Sequence, residues 1–122
     1  MNLAWQFNEY TPVYLQIANR LRDEIIKGNY PPGSQIPTVR QLALIAAVNP
    51  NTVQRALTEL ENEGLLCAKG TQGRFVTEDD EKLRAAANNA ALDLVREFLS
   101  KAENLAISRE RLIEMLKEES KA

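Results

Sequence analysis

The residues best suited to chemistry lie in one polar stretch, 48–55, with the sequence VNPNTVQR. Asn49 is suited to cap a helix and Pro50 to occupy its first turn. Asparagine and glutamine pair with the edge of adenine, arginine pairs with guanine, and threonine contacts phosphate or the thymine methyl group. Four such side chains follow the cap: Asn51, Thr52, Gln54 and Arg55. The pattern predicts a helix whose first turns enter a DNA major groove.

Other kinds of chemistry find little support. The chain has no histidine and one cysteine, which removes the commonest general base, the histidine-activated nucleophiles and almost every zinc site. Cys67 has Leu66 and Ala68 as neighbours, so we expect a small core or strand residue that is buried and inert. Since the sequence also lacks a Gly-rich phosphate loop and a nucleophile elbow, we expect no enzyme activity, no metal and no cofactor.

The chain is 122 residues long, with 44% hydrophobic and 26% charged residues and a net charge of −2. Residues 1–77 hold seven basic and six acidic residues, whereas residues 78–122 hold eight basic and eleven acidic ones. A weakly basic first part can present one positive face despite the overall charge. No apolar run reaches the roughly 20 residues that span a bilayer, and the N-terminus does not resemble a signal peptide. We expect a soluble, cytoplasmic protein.

Helix signals organise the first 64 residues. Thr11 and Pro12 indicate a helix start, with Thr11 as the cap, and Gly28 indicates its end. A second helix is expected from Thr38, which forms a capping-box pattern with Gln41. A tight turn around Val48 leads to the third helix, which ends at Gly64. The predicted buried residues of the second and third helices are Leu42, Ala43, Ile45, Ala46, Val53, Ala56, Leu57 and Leu60. Two short helices joined in this way indicate a helix-turn-helix unit.

Elements on either side complete the first domain. The aromatic residues Trp5, Phe7 and Tyr10 are expected to fasten an N-terminal arm to the core. The runs 65–69 and 74–77 surround a Gly-containing loop and predict a β-hairpin. The fold class is therefore mainly α (α+β), a winged helix-turn-helix domain over residues 1–77.

The remaining residues, 78–122, are predicted to form a helical dimerisation segment. The acidic run 78–81 favours the start of a long helix over 80–104, and Ser108 is expected to cap a last helix with Ile107 and Leu112 as a hydrophobic staple. Exposing the apolar side of these helices to water is unfavourable, so we expect a two-fold mate to cover it; folding back onto the same chain is the alternative. The predicted dimerisation residues are Leu94, Val95, Phe98, Leu99, Ala102, Leu105, Leu112 and Leu116.

These motifs carry a resemblance. The segment 14–76 resembles the winged helix-turn-helix of GntR-family transcription regulators, through YLQI at 14–17, PG at 32–33, IPTVR at 36–40, VNPNTV at 48–53 and EGLL at 63–66. With only about 45 residues following, the chain resembles the YtrA-type subfamily. The resemblance implies a bacterial homodimeric regulator, usually a repressor, that binds double-stranded DNA at a palindromic operator. Release by a small-molecule effector is compatible with it, although no residue set specifies a ligand, and no membrane partner is expected.

The resemblance and the residue types together give a predicted DNA-binding set. Its members are Thr38, Arg40, Asn49, Pro50, Asn51, Thr52, Gln54, Arg55, Lys69, Gly70, Thr71 and Gln72. Two positions depart from the family: Ala47 stands where glycine is frequent, and Gln54 stands where many members have arginine. Arg55 could instead pair with Glu59 one helical turn away.

A different class of function remains open at this point: a protein-interaction module in which the winged domain is only a scaffold. That alternative predicts that Arg40→Ala and Arg55→Ala leave function intact.

Overall fold

The computed structural model describes residues 5–120, so the first four residues of the N-terminus considered above lie outside its description. The described chain is mainly helical with a two-stranded antiparallel sheet, which confirms the predicted fold class. The elements are α1 (Val13–Lys27), α2 (Val39–Ala46), α3 (Pro50–Asn62), β1 (Leu66–Ala68), β2 (Arg74–Val76), α4 (Asp80–Asn104) and α5 (Arg109–Glu119). The chain divides into two compact units after Ala86.

The core of the first unit lies between α1 and α3, with α2 packed against α3. Its side chains repeat at helical spacing on each helix, so that one face of every helix is buried. The largest fully buried side chains of this core are Ile17, Leu21, Leu42, Val53, Leu57, Leu60, Leu65 and Val76. Burial of each stabilises the fold by about 1.5–3 kcal/mol relative to leaving it in water.

Of the caps predicted for α1, α2 and α3, two are confirmed. Thr38 and Gln41 form the reciprocal capping box of α2, and the Asn49 side chain accepts a hydrogen bond from the Asn51 amide at the start of α3. The prediction for α1 was wrong, because Pro12 itself takes the cap position and no side chain caps the helix. Thr11 interacts with α1 through its backbone and not through its side chain: its carbonyl oxygen accepts a 2.8 Å hydrogen bond from Nε2 of Gln16.

The wing is confirmed as an antiparallel hairpin, and it has one contributor that the sequence did not reveal. In the hairpin Leu66 pairs with Val76 and Ala68 with Arg74, around a single 3₁₀ turn at the tip. The segment 33–36 lies along the other edge of β2: the Ile36 amide donates to the Arg74 carbonyl at 3.0 Å, and the Val76 amide donates to the Ser34 carbonyl at 2.8 Å. The wing is therefore anchored to the connection between α1 and α2.

Three predicted burials were wrong. Tyr10 is 92% exposed, although Trp5 and Phe7 pack against the core as expected. Ile45 is 38% exposed, because α2 has only eight residues and its narrow buried side is filled by other positions. Cys67 lies in strand β1, as expected, but its side chain is exposed. It alternates along β1 with Leu66, and since successive side chains of a strand point to opposite faces, Leu66 is buried and Cys67 is not.

The start of α4 belongs to the first unit, because Leu83 and Ala86 pack against its core. The predicted helix 80–104 is confirmed residue for residue. In the second unit the Ser108 hydroxyl caps α5 by accepting from the Arg111 amide, as expected, and Ala102 and Leu112 are buried. Over residues 5–120, no helix is both long and apolar enough to cross a membrane.

Candidate nucleic-acid interface

Helix α3 has one apolar side and one polar side, and the polar side holds the predicted base-reading residues. Val53, Ala56, Leu57 and Leu60 are buried against the core. On the other side of the helix Asn51, Gln54 and Arg55 are exposed, and Thr52 is half-buried. Because burial of the apolar side fixes the rotation of the helix, these polar side chains are held toward solvent.

Asn49 and Pro50 build the start of α3. The Oδ1 atom of Asn49 accepts a 2.7 Å hydrogen bond from the Asn51 amide, so this side chain is occupied by the helix itself. Pro50 takes the first helical position, where its missing N–H costs nothing. No acidic residue lies in the first turn of α2 or α3. The positive ends of both helix dipoles are thus free of a local carboxylate that would repel phosphate.

Arg55 does not form the Glu59 ion pair that its spacing allowed. Its guanidinium group lies over the ring of Tyr14 on α1, with the Cζ atom 3.9 Å from the ring centroid. Arg55 and Tyr14 line a shallow pocket together with Val13, Asn51 and Thr52. Sequence reasoning missed Tyr14 as part of this site, since 41 positions separate it from Arg55 and only the packing of α1 on α3 joins them.

The start of α2 supplies two further candidates. The Thr38 hydroxyl accepts a hydrogen bond from the Gln41 amide as the helix cap, and its own hydrogen remains free to donate to another group. Arg40 is the second residue of α2, and its side chain is exposed. The structure therefore brings a free cation and a hydroxyl to the same helix end.

The wing tip, residues 69–72, is exposed throughout. The ammonium group of Lys69 lies 4.7 Å from the centroid of the Phe75 ring. The Nε2 atom of Gln35 donates a 2.6 Å hydrogen bond to the carbonyl of Gln72, which fixes one side of the tip. Gln35 had no signal in the sequence, because its partner is a backbone oxygen 37 positions away.

Ion pairing decides which basic residues stay available. Over the described part of residues 1–77, Arg22 pairs with Glu63, Arg74 with Glu61, and Lys27 with Glu24. The hydrogen bonds that the Arg22 guanidinium group donates to the Glu63 carboxylate raise the pKa of Arg22. Within the same range the predicted contact cations form no ion pair; these are Arg40, Arg55 and Lys69. The near-neutral composition of this region thus leaves positive charge at the predicted contact positions.

The predicted dimerisation residues divide into two groups. Leu94, Val95, Phe98, Leu105 and Leu116 are exposed, with Leu105 at 72% and Leu94 at 68%. Ala102 and Leu112 are buried within their own chain, and Leu99 is half-buried beside them. The second unit therefore presents apolar side chains to solvent on both of its helices.

A helix-turn-helix, a two-stranded wing and a polar α3 face define a winged helix-turn-helix DNA-binding protein. The family model "Bacterial regulatory proteins, gntR family" matches residues 13–76. The chain belongs to the GntR family and is a DNA-binding transcriptional regulator, not an enzyme.

Similarity extends beyond the matched segment. The chain is 32% identical to the HTH-type transcriptional repressor YtrA of Bacillus subtilis, over 88% of this chain and 84% of that protein. A GntR-family transcriptional regulator from Listeria monocytogenes has a solved structure with a TM-score of 0.84 and 34% identity, covering 92% of this chain and 98% of that one. The AraR DNA-binding domain, solved in complex with operator ORX1, gives a TM-score of 0.57 and 25% identity over 62% of this chain and 96% of that one. The first two similarities each cover at least 88% of the chain, well beyond the segment 13–76 that the family model matches.

Proposed function

We propose that this regulator is a cytoplasmic repressor that binds a palindromic operator as a homodimer. Residues 1–77 recognise DNA and residues 78–122 associate with the second copy, so that two α3 helices enter successive major grooves on one side of the duplex. The observation that carries the proposal is the amphipathic division of α3, whose apolar side is wholly buried while Asn51, Gln54 and Arg55 remain in solvent.

Each predicted contact has a role that follows from its chemistry. Arg55 donates to guanine, and Asn51 and Gln54 pair with adenine edges. Thr38, Arg40, Thr52 and the wing tip 69–72 contact phosphate or the minor groove. Asn49 and Pro50 set the helix start and touch the backbone of the DNA. Support comes from the exposure of these side chains, except for half-buried Thr52, and from the absence of ion pairs on Arg40, Arg55 and Lys69 over residues 5–120.

Homodimerisation is supported by the apolar side chains of α4 and α5. An isolated chain leaves Leu94, Phe98 and Leu105 in water at 46–72% exposure. A two-fold mate presents the same surface, so one interface covers both copies. It also joins two recognition helices, which makes the site on DNA palindromic.

The proposal also includes the direction of regulation, which is repression, and the release of the protein from its operator by an effector. A relative covering most of the chain is named a repressor, and we assign the same sign here. A small-molecule effector releases the operator by binding the DNA-free dimer better than the DNA-bound one. An effector of this kind raises Tm of the DNA-free protein and weakens operator binding in the same concentration range.

The DNA contacts are tested by gel-shift titration with a duplex from upstream of the protein's own operon and a scrambled duplex of equal length. We expect a preference for the upstream duplex. Arg55→Ala reduces operator affinity by roughly 5- to 150-fold, the range of a lost bidentate base contact. Arg40→Ala weakens operator and scrambled DNA alike and lowers the salt dependence by about one unit of slope.

Lys27→Ala is the matched control, because Lys27 is an exposed cation that belongs to neither the predicted DNA contacts nor the predicted dimerisation residues, and it pairs with Glu24 at 3.4 Å. We expect its affinity to equal that of the unaltered protein. Equal binding to both duplexes, or full operator affinity in Arg55→Ala, contradicts the proposal; full affinity in Arg40→Ala as well favours the protein-interaction module.

A further inference from the structure

Arg55 reaches the predicted DNA interface from a fixed position, because an aromatic ring on a different helix supports it. Its Cζ atom lies 3.9 Å from the centroid of the Tyr14 ring. Tyr14 is the second residue of α1 and packs on the core, so the ring itself is anchored. A guanidinium group stacked in this way uses its flat face and leaves the N–H groups along its edge free.

The edge of Arg55 has no other partner in residues 5–120. The ion pairs and side-chain hydrogen bonds of that range do not include this guanidinium group, although Glu59 lies four positions along the same helix. The N–H donors of Arg55 are therefore free to bind another group, while the Tyr14 ring restricts the conformations of the side chain. Ordering a free arginine at an interface costs conformational entropy, and a side chain that is already ordered avoids much of that cost.

The stacked position also determines which groups lie next to Arg55. On α3, Asn51 and Thr52 precede it by four and three positions, so all three lie on one side of the helix. The same three residues and Tyr14 line one shallow pocket. A guanidinium group held there stays next to Asn51, one helical turn earlier on the same side of α3.

We propose that Tyr14 is a positioning residue for Arg55, orienting the guanidinium group before DNA arrives and thereby setting both affinity and base preference at the Arg55 contact. The role rests on the proposed function, since it requires that Arg55 contacts DNA. Tyr14 acts through Arg55, and its phenolic oxygen is not needed.

A double-mutant cycle tests this role by fluorescence anisotropy on the operator duplex and the scrambled duplex. Tyr14→Phe keeps the ring and is expected to bind the operator within about twofold of the unaltered protein. Tyr14→Leu removes the ring and weakens operator binding by about 2- to 5-fold, the scale of an exposed cation–π contact. In an Arg55→Ala background, Tyr14→Leu has no further effect.

The cycle also has outcomes that overturn the role. Tyr14→Phe as weak as Tyr14→Leu means that the hydroxyl group contacts DNA itself. An equal loss from Tyr14→Leu with and without Arg55 means that the ring acts only through the fold. If Arg55→Ala impairs operator binding but the effects of the two substitutions are additive, only the positioning role of Tyr14 is contradicted. If Arg55→Ala binds the operator normally, or if the operator duplex is not preferred, the proposed function is contradicted together with the role of Tyr14.

A measurement without DNA keeps the proposal testable even where Tyr14→Leu folds poorly. In the NMR spectrum of the full chain, the ring current of residue 14 shifts the Arg55 side-chain protons upfield in the unaltered protein and in Tyr14→Phe. Unshifted Arg55 protons overturn the proposal.

Arg20→Ala is the matched control for the binding measurements. The Cζ atom of Arg20 lies 4.2 Å from the centroid of the Trp5 ring, in a similar stack that does not involve α3. The operator affinity of Arg20→Ala is expected to stay within about twofold of that of the unaltered protein.

Discussion

The turn that presents α3 depends on the conformation of one residue, Ala47. It ends α2 in the left-handed region, with φ 60° and ψ 49°. Its amide still donates to the Ala43 carbonyl, so the turn satisfies the helix end while the Cβ atom is strained. Left-handed backbone costs a non-glycine residue about 1–2 kcal/mol. Alanine at position 47, where glycine is frequent in the family, therefore preserves the turn but lowers the free energy of unfolding.

Ala47→Gly is expected to raise the free energy of unfolding by about 0.5–1 kcal/mol, because relief of the Cβ strain exceeds the greater freedom of glycine in the unfolded chain. Urea unfolding followed by circular dichroism measures the change. Ala85→Gly is the matched control: it is the same substitution at an exposed helical position of α4, where it costs about 1 kcal/mol. A loss of stability in both variants contradicts the prediction.

Glu24 makes the stability of the first unit depend on pH. The side-chain amide of Asn29 donates a 2.6 Å hydrogen bond to its carboxylate, and this bond, followed by Lys27, lowers the pKa of Glu24 from its ordinary 4.5. A lowered pKa in the folded state means that the carboxylate stabilises the fold above the unfolded pKa. That contribution is lost as the pH falls through the lower folded value.

Asn29→Ala is expected to raise the pKa of Glu24 toward 4.5 and to destabilise the protein at pH 7. The difference in unfolding free energy between this variant and the unaltered protein shrinks as the pH falls below that value. Carboxyl chemical shifts in an NMR titration and urea unfolding at several pH values check the two parts. A stability difference that is constant with pH shows that the amide acts on something other than Glu24.

At the scale of the element, the wing is supported from outside its own hairpin. The strands β1 and β2 are three residues each, which is too short for independent stability. The segment 33–36 adds hydrogen bonds along the free edge of β2, and Gln35 reaches the carbonyl of Gln72 at the tip. The connection between α1 and α2 thus pairs with β2 through an isolated bridge between Gln35 and Phe75, and it holds one side of the tip.

Gln35→Ala is expected to free the wing tip, at a local cost of about 1 kcal/mol for the lost hydrogen bond. Hydrogen–deuterium exchange should become faster at residues 69–72 and remain unchanged in α1. Thr71→Ala is the control, since Thr71 is exposed at the same tip and its side chain forms no hydrogen bond within residues 5–120. Equal exchange at the tip in both variants means that the hairpin turn alone orders the tip.

At the scale of the whole molecule, the two units use their apolar residues differently. The first unit buries most of its large apolar side chains in one core, although Tyr10, Leu44 and Ile45 are exposed. The second leaves most of its large apolar side chains exposed and, in its described part, buries only Ala102 and Leu112. Exposed apolar surface on this scale is typical of an interface.

Phe98→Glu is expected to shift the protein from dimer to monomer, raising the dimer Kd by at least about tenfold, because a charge enters the apolar surface. Sedimentation velocity over a range of concentrations measures the shift. Ser100→Glu adds the same charge at an exposed polar position of α4 and is expected to remain dimeric. A monomeric unaltered protein contradicts the proposed homodimer, and an unaffected Phe98→Glu dimer places the interface elsewhere.

Local signals explain the parts of the fold that the sequence predicted. The Thr38 capping box, the Asn49 cap and the 80–104 helix each depend on residues within a few positions of one another, and all are confirmed. The expected cap at Thr11 and the expected burial of Ile45 and Cys67 were wrong for a different reason. The hydrogen bond from the Gln16 side chain to the Thr11 carbonyl oxygen depends on tertiary packing. Tertiary packing also decides which side of α2 and of β1 faces the core.

For the polar stretch 48–55, the sequence by itself determined the helix start, the side-chain chemistry and the resemblance to a DNA-binding family, because capping and hydrogen-bonding capacity belong to the residues. Only the tertiary structure decided that Arg55 rests on Tyr14 rather than pairing with Glu59. Packing of α1 against α3 brings two residues 41 positions apart into contact. Such contacts are set by the burial of whole helix faces, which no local pattern specifies.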